Sequence, residues 1–238
     1  MTYNNTICIR INNISRTKYI IMQTIIPKII HVIWIGDDSK KPTNNIKSWQ
    51  QFNPNYEFRL WGNKELKKVK WINQEHINKM LDWEICGVAD LMRYEILYQH
   101  GGVYFDADSI CLRPLENFLL ETDNFAAWEN ELSLPGLVGI SALGSTKNSP
   151  LYKAIIENLK SQPTVCNDLA WKTTGPLKFT EVWIKSNLPL TIYPSHYFYP
   201  NHHSGRCYTG KGLVFADQLW SSTFNKIDKP HLKKFLLR

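Results

Sequence analysis

Apolar positions become ordered only after Pro27. Ile29-Ile30-His31-Val32-Ile33-Trp34 is a nearly unbroken apolar run stopped by Gly36-Asp37-Asp38. That is the pattern of a strand buried on both faces, as in a parallel sheet. Residues 44–52 read as a helix closed by Asn53-Pro54-Asn55, and the alternating run Tyr56-Glu57-Phe58-Arg59-Leu60-Trp61 predicts a strand with one wet face. Strand, helix and strand in that order imply a right-handed crossover. A charged helical stretch fills 64–85. Val88, Leu91, Met92 and Ile96 then mark one face of another helix. Gly101-Gly102 ends it, since glycine accepts the left-handed cap conformation. Residues 103–105 form a third strand, with Asp106-Ala107-Asp108 at its carboxyl end.

Further along, 139–143 read as a strand. Ser149 is placed as the cap of a helix with Pro150 in its first turn, running to about Lys160. Another helix follows Gly175-Pro176, and 190–193 and 213–216 read as late strands. No internal repeat or linker interrupts the pattern. The expectation is one α/β domain over 25–225, a Rossmann-like unit with a mixed central sheet. Residues 1–24 form a leader expected to lack order, and 226–238 a basic tail.

Composition changes this picture little. The 238 residues are 43% hydrophobic and 21% charged, which allows a core of ordinary size. The net charge of +7 favours anionic partners such as phosphorylated small molecules. Its dense groups, 64–70 and 226–234, read as solvated faces, and no nucleic-acid recognition motif accompanies them. The cysteines, Cys8, Cys86, Cys111, Cys166 and Cys207, are odd in number and widely spaced, with no Cys-x-x-Cys pair. A disulfide framework or zinc site is not expected, and a reducing compartment fits. His202, His203 and Cys207 match no standard zinc spacing and are read as a polar loop. Asn4 and Asn13 head Asn-x-Ser/Thr triplets within the leader and carry little weight. There is no signal peptide pattern and no run of about 18 apolar residues, so no transmembrane segment is expected and the reading is soluble and cytoplasmic.

The chemistry begins at Asp106 and Asp108. Residues i and i+2 on an extended chain project to one side, and two carboxylates so placed repel unless a cation attends them. Mg²⁺ or Mn²⁺ takes oxygen ligands and commonly shares them with substrate phosphates. Taken alone, the triplet also fits a polar turn after a strand. Asp90 and Arg93, at i and i+3, share one face of the preceding helix. They read either as an exposed ion pair or as a carboxylate for sugar hydroxyls beside a planar donor fork for phosphate.

Ala89-Asp90-Leu91-Met92-Arg93-Tyr94, followed by Gly101-Gly102-Val103-Tyr104-Phe105-Asp106-Ala107-Asp108, resembles glycosyltransferase family 32. This is the DXD sugar-binding group that includes yeast initiating α-mannosyltransferases and bacterial capsule-type transferases. The spacing is also similar to that of the glucosyltransferase domain of clostridial toxins. The run from Ile26 to Gly36 resembles the family's first strand, and Thr174-Gly175-Pro176 with Thr180 its later Thr-Gly-Pro element.

The resemblance implies a GT-A fold and a retaining, metal-dependent transfer from a UDP- or GDP-sugar to a glycan, lipid or protein acceptor. It implies that Trp34 stacks on the base, Asp90 holds sugar hydroxyls and Arg93 bridges sugar and phosphate. Tyr104 would line the nucleotide pocket, Asp106 would contact ribose and the metal's water shell, and Asp108 would ligate Mn²⁺ or Mg²⁺. Core packing is an equal reading for Tyr104. Where the family carries a histidine near its end, this chain has Gln218 within Ala216-Asp217-Gln218-Leu219-Trp220, with Asp217 a substitute if the register shifts by one. This departure motivates an alternative reading as a degenerate nucleotide-sugar or glycan binder. A sugar nucleotidyltransferase is disfavoured, because the segment after the first strand has a single glycine, Gly36. The aromatic stretch 193–208 reads as an acceptor wall or as packing.

Overall fold

The computed structural model describes residues 26–221 and residue 223. The leader 1–24 and the tail 226–238, with the basic group at 226–234 and Cys8, lie outside the described residues.

The first apolar run forms β1 (Ile29–Ile33), buried along most of its length. The helix α1 (Thr43–Phe52) returns the chain to β2 (Glu57–Trp61), which pairs parallel to β1 as the strand-helix-strand pattern implies. The charged stretch after it is two helices, α2 (Asn63–Lys68) and α3 (Gln74–Trp83). The break has a clear cause. Glu95, buried on the next helix, accepts the backbone N–H groups of Ile72 and Asn73 at 2.6 and 2.8 Å, which holds the connector in a turn.

The helix α4 (Ile85–His100) is buried nearly all round, not on one stripe. It feeds β3 (Gly102–Asp106), which pairs parallel to the other side of β1. A short β4 (Ser109–Cys111) follows, then β5 (Asn124–Trp128), β6 (Val138–Ser145), α5 (Pro150–Lys160), α6 (Ala170–Thr173), α7 (Pro176–Ser186), β7 (Thr191–Tyr193) and β8 (Ala216–Gln218).

The main sheet has six strands in the order β2-β1-β3-β6-β5-β7, and β4 with β8 forms a separate antiparallel ribbon. Only β6 runs against its neighbours. The carboxyl ends of β1, β2, β3, β5 and β7 therefore share one edge, where ligands of open α/β sheets bind. On one face, α4, α5 and α7 bury Leu91, Tyr94, Ile155 and Phe179. On the other, Trp49 of α1 stacks on Phe105 at 3.6 Å between ring centroids, and Phe125, Phe198 and Phe215 extend the same layer.

The structure refines three local expectations. The last strand lies at 216–218, not 213–216, because those are the residues that pair with β4, Asp217 opposite Ile110. Ser149 occupies the N-cap position of α5 as expected, but its hydroxyl donates to Asn124 Oδ1 at 2.7 Å and makes no capping bond to the helix backbone. In the stretch 193–208, Phe198 and Tyr199 are buried in the core, which settles those two as packing.

Candidate active site

Asp106 is the last residue of β3, and Asp108 sits in the turn before β4. The pair is not carried on one extended strand. A turn brings the carboxylates together, and the β4–β8 ribbon then lays Gln218 against both. Gln218 Nε2 donates to Asp108 Oδ1 at 2.7 Å and approaches Asp106 Oδ2 at 3.5 Å. Asp217 points elsewhere, accepting from Asn201 Nδ2 at 2.8 Å. The register is thereby settled: Gln218 meets the acidic pair. Asp108 also accepts the backbone N–H of Ser221 at 2.8 Å.

Beneath Asp106 lies a buried polar chain. Tyr104 donates its hydroxyl to Asp106 Oδ1 at 2.7 Å, and the Arg93 guanidinium reaches the same oxygen at 3.2 Å while stacking over the Tyr104 ring at 4.5 Å. Arg93 also pairs with Asp90 at 2.9 Å and donates to the Ile140 carbonyl at 2.8 Å. Thr174 Oγ1 donates to the other Asp90 oxygen at 3.0 Å. Asp90 and Arg93 are therefore a buried pair, not an exposed one, and Thr174 of the Thr-Gly-Pro element is what holds Asp90. Tyr104 is enclosed under Asp106. Trp34 is half-buried just past β1, its indole N–H bonded to the Asp37 carbonyl at 3.3 Å. A cleft of about 580 Å³ opens past β1 against α2 and α3, lined by Ile35, Gly36, Asn63, Leu66, Gln74 and Ile77; Trp34 and the acidic pair do not line it.

The charges follow from this packing. Burial pushes the Asp108 carboxyl above the usual carboxylate range, and the adjacent Asp106 charge pushes it further, against the opposing bonds from Ser221 and Gln218. Burial works against the charged form of Arg93, but the Asp106 and Asp90 carboxylates outweigh it and hold the guanidinium charged. Burial also raises the Tyr104 hydroxyl well above its ordinary range, keeping it a neutral donor.

A divalent cation fits this donor set. Two carboxylates press on one another, and burial together with the Asp106 charge disfavours the ionised form of Asp108. Gln218 Oε1 is a buried oxygen with no hydrogen-bond partner. Rotating that amide would turn a carbonyl oxygen, in place of an N–H, toward the acidic pair. An all-oxygen set of this kind suits Mg²⁺ or Mn²⁺.

Sequence reasoning overlooked Glu129, which follows β5 at the same sheet edge and meets His202 and His203, each at 3.6 Å. The missed strand β5 hid it; the signal was an apolar run, Phe125-Ala126-Ala127-Trp128, ended by an acid. Cys207 is exposed and its thiol faces the Gly205 carbonyl.

Comparison with known proteins adds ancestry to this geometry. A family model described as a glycosyltransferase sugar-binding region containing a DXD motif matches residues 39–126. The uncharacterized glycosyltransferase L373 of Acanthamoeba polyphaga mimivirus is 30% identical over 87% of this chain and 86% of its own length. Inositol phosphoceramide mannosyltransferases 3 and 2 of Schizosaccharomyces pombe are each 28% identical, over 66% and 74% of this chain. The chain spans only about half the length of these two relatives, 45% and 51%.

Among solved structures, the PaToxG glycosyltransferase superposes with a TM-score of 0.54 at 18% identity, covering 68% of this chain and 70% of its own. A glycosyltransferase involved in glycosylation of the major capsid of PBCV-1 superposes with a TM-score of 0.51 at 9% identity, covering 87% of this chain and 98% of its own. These two likenesses are of fold, and the fold is of GT-A type.

Proposed function

Because the chain belongs to the glycosyltransferases whose sugar-binding region contains a DXD motif, we propose that it performs a divalent-metal-dependent, retaining transfer of a hexose from a UDP- or GDP-sugar. The carrying observation is the convergence of Asp106, Asp108 and Gln218 above the buried chain of Tyr104, Arg93 and Asp90. In this reading one GT-A unit spans 25–225.

Asp108 and Asp106 would hold Mn²⁺ or Mg²⁺ together with the amide oxygen of Gln218, and the bound ion would neutralise charge developing on the departing diphosphate. Arg93 places a permanent positive charge beside Asp106, where sugar and phosphate meet. Its bonds to Ile140 and Asp90 fix the guanidinium before any donor arrives, so little reorganisation is needed during transfer. Asp90, held by Thr174 and Arg93, is the acceptor for donor sugar hydroxyls. Tyr104 orients Asp106 from below, and its neutral hydroxyl leaves the net charge of the site to the carboxylates. Trp34, just past β1, offers a ring face to the base. No side chain is assigned as a covalent nucleophile, which accords with departure and attack on one face of the sugar.

The names of the S. pombe relatives make mannose the first sugar to test and an inositol phosphoceramide lipid the first acceptor, with glycan and protein acceptors as the other classes. The experiment is a panel of UDP- and GDP-sugars incubated with the protein and Mn²⁺ or Mg²⁺, with nucleoside diphosphate release and the anomeric configuration of the product measured. Release from one donor with an α-linked product supports the proposal; a β-linked product removes the retaining assignment.

A second reading rests on Gln218. Its N–H₂ group donates toward both carboxylates, as a neutral group does when it takes a cation's place. A degenerate binder would hold donor or nucleotide with no release from any member of the panel, with or without acceptor lipid.

A further inference from the structure

Glu129, His202 and His203 lie outside the machinery described above, and their ligand atoms all fall within 4.8 Å of one another. We propose that these three residues form a second metal site, one that takes a transition ion of the Zn²⁺ class and fastens the 201–208 turn to the end of β5.

The distances carry the assignment. His202 Nε2 and His203 Nε2 each lie 3.6 Å from Glu129 Oε1. That is too long for a good N–H···O bond, which falls below about 3.2 Å. It is close to the edge of a tetrahedron around zinc, roughly 3.4 Å for metal–ligand bonds of about 2.05 Å. The His202 side chain is wholly enclosed, and its Nε2 has no hydrogen-bond partner. A buried polar atom aimed at two further ligands and satisfied by none of them is what an ion site looks like before the ion arrives.

The surroundings agree. The Ser204 backbone N–H donates to His202 Nδ1 at 3.2 Å, and Ser204 Oγ lies 2.8 Å from the same nitrogen. Because that amide can only donate, Nδ1 is an acceptor in the ion-free protein, and binding an ion at Nε2 would require the ring proton to move to Nδ1, with the Ser204 hydroxyl as its outer-shell acceptor. Ser204 Oγ is itself 2.8 Å from Ser133 Oγ. Glu129 is a buried carboxylate, costly unless its charge is met. Two imidazoles and one carboxylate form the donor set zinc takes when a fourth position stays open, and His203 is the member that reaches solvent.

Such an ion would act on the neighbouring site by position. Both imidazoles pack against the Trp220 ring, at 5.1 and 4.9 Å between centroids, and Trp220 Nε1 donates to the Asn201 carbonyl at 2.8 Å. The next residue, Ser221, is the one whose amide meets Asp108.

Co²⁺ is the probe, because its tetrahedral nitrogen–oxygen complexes absorb strongly in the visible and its six-coordinate oxygen complexes do not. The full chain carrying Asp108→Asn, which weakens the acidic-pair site, is titrated with Co²⁺. Strong visible bands saturating at one equivalent are expected, with a Tm rise of several degrees on adding Zn²⁺. Both should vanish when His203→Asn or Glu129→Gln is added. His203→Asn is the safer variant, since that ring is partly exposed; circular dichroism reports its folding. Uptake without visible bands, bands that survive His203→Asn, or bands with thiolate charge-transfer character from Cys207 would each overturn the proposal.

Discussion

Asp108 receives hydrogen bonds from Gln218 and Ser221, yet burial and the neighbouring Asp106 still raise its pKa. The sign of the consequence follows. A carboxyl whose folded pKa is raised contributes stability that is present below its ordinary value of 3.8 and lost as pH rises through the folded value. Near neutral pH the ion-free protein is therefore strained at this residue, and on the proposed function a divalent cation would relieve it. Mn²⁺ should raise Tm more at about pH 7 than near the ordinary carboxylate pKa of about 3.9, as thermal denaturation at the two pH values will report. An equal rise at both would contradict the account. Gln218 gives a second prediction. An imidazole is a stronger ligand than an amide oxygen, so Gln218→His should lower the Mn²⁺ concentration for half-maximal turnover several-fold, read from a metal titration of the donor reaction. An unchanged half-point would mean that Gln218 does not face the ion.

Among the elements, the α4–β3 junction sets the position of Asp106. Gly101 and Gly102 have φ of +64° and +97°, and a Cβ on Gly102 would stand 2.6 Å from the Ile29 carbonyl oxygen of β1. Gly102→Ala should therefore cost on the order of 3 kcal/mol and lower Tm by roughly 10 °C, with calorimetry as the check. A change within a degree or two would show that the strand pair can part at little cost. This junction was legible in sequence, because a buried helix, two glycines and an acid-ended strand each follow local rules. So were β1, α1 and β2. The strand β5 was not. Asn124-Phe125-Ala126-Ala127-Trp128 has neither alternation nor β-branching, and it is a strand because β6 and β7 flank it. Losing β5 meant losing Glu129, and with it the partner that gives His202 and His203 their meaning. Gln218 was recognised from its place in a motif. Its contact with Asp106 and Asp108 depends on a three-residue ribbon that no local pattern announces.

Across the whole molecule, the shared edge of the main sheet holds the cleft past β1, the acidic pair after β3 and Glu129 after β5. Stability of the main sheet is tied to pH through His31 of β1. Its Nε2 donates to the Gly101 carbonyl at 2.8 Å while Nδ1 accepts from Trp61 Nε1 at 3.1 Å. Burial lowers its pKa to about 4 from the ordinary 6.5. The unfolded chain binds the proton more readily, so the contribution is complete above pH 6.5 and lost as pH falls toward 4. It amounts to about 3 kcal/mol. Urea unfolding from neutral pH down through this window should show that loss, and His31→Gln should flatten the curve.

The central claim is that the acidic pair runs the transfer. The most direct test compares wild type with Asp108→Asn for Mn²⁺-dependent release of nucleoside diphosphate from the preferred sugar donor, with Tm followed alongside. The account predicts a loss of at least about 100-fold, the scale of removing a principal electrostatic stabiliser, with Tm changed by no more than a few degrees. Turnover within a few-fold of wild type in the folded variant would contradict it.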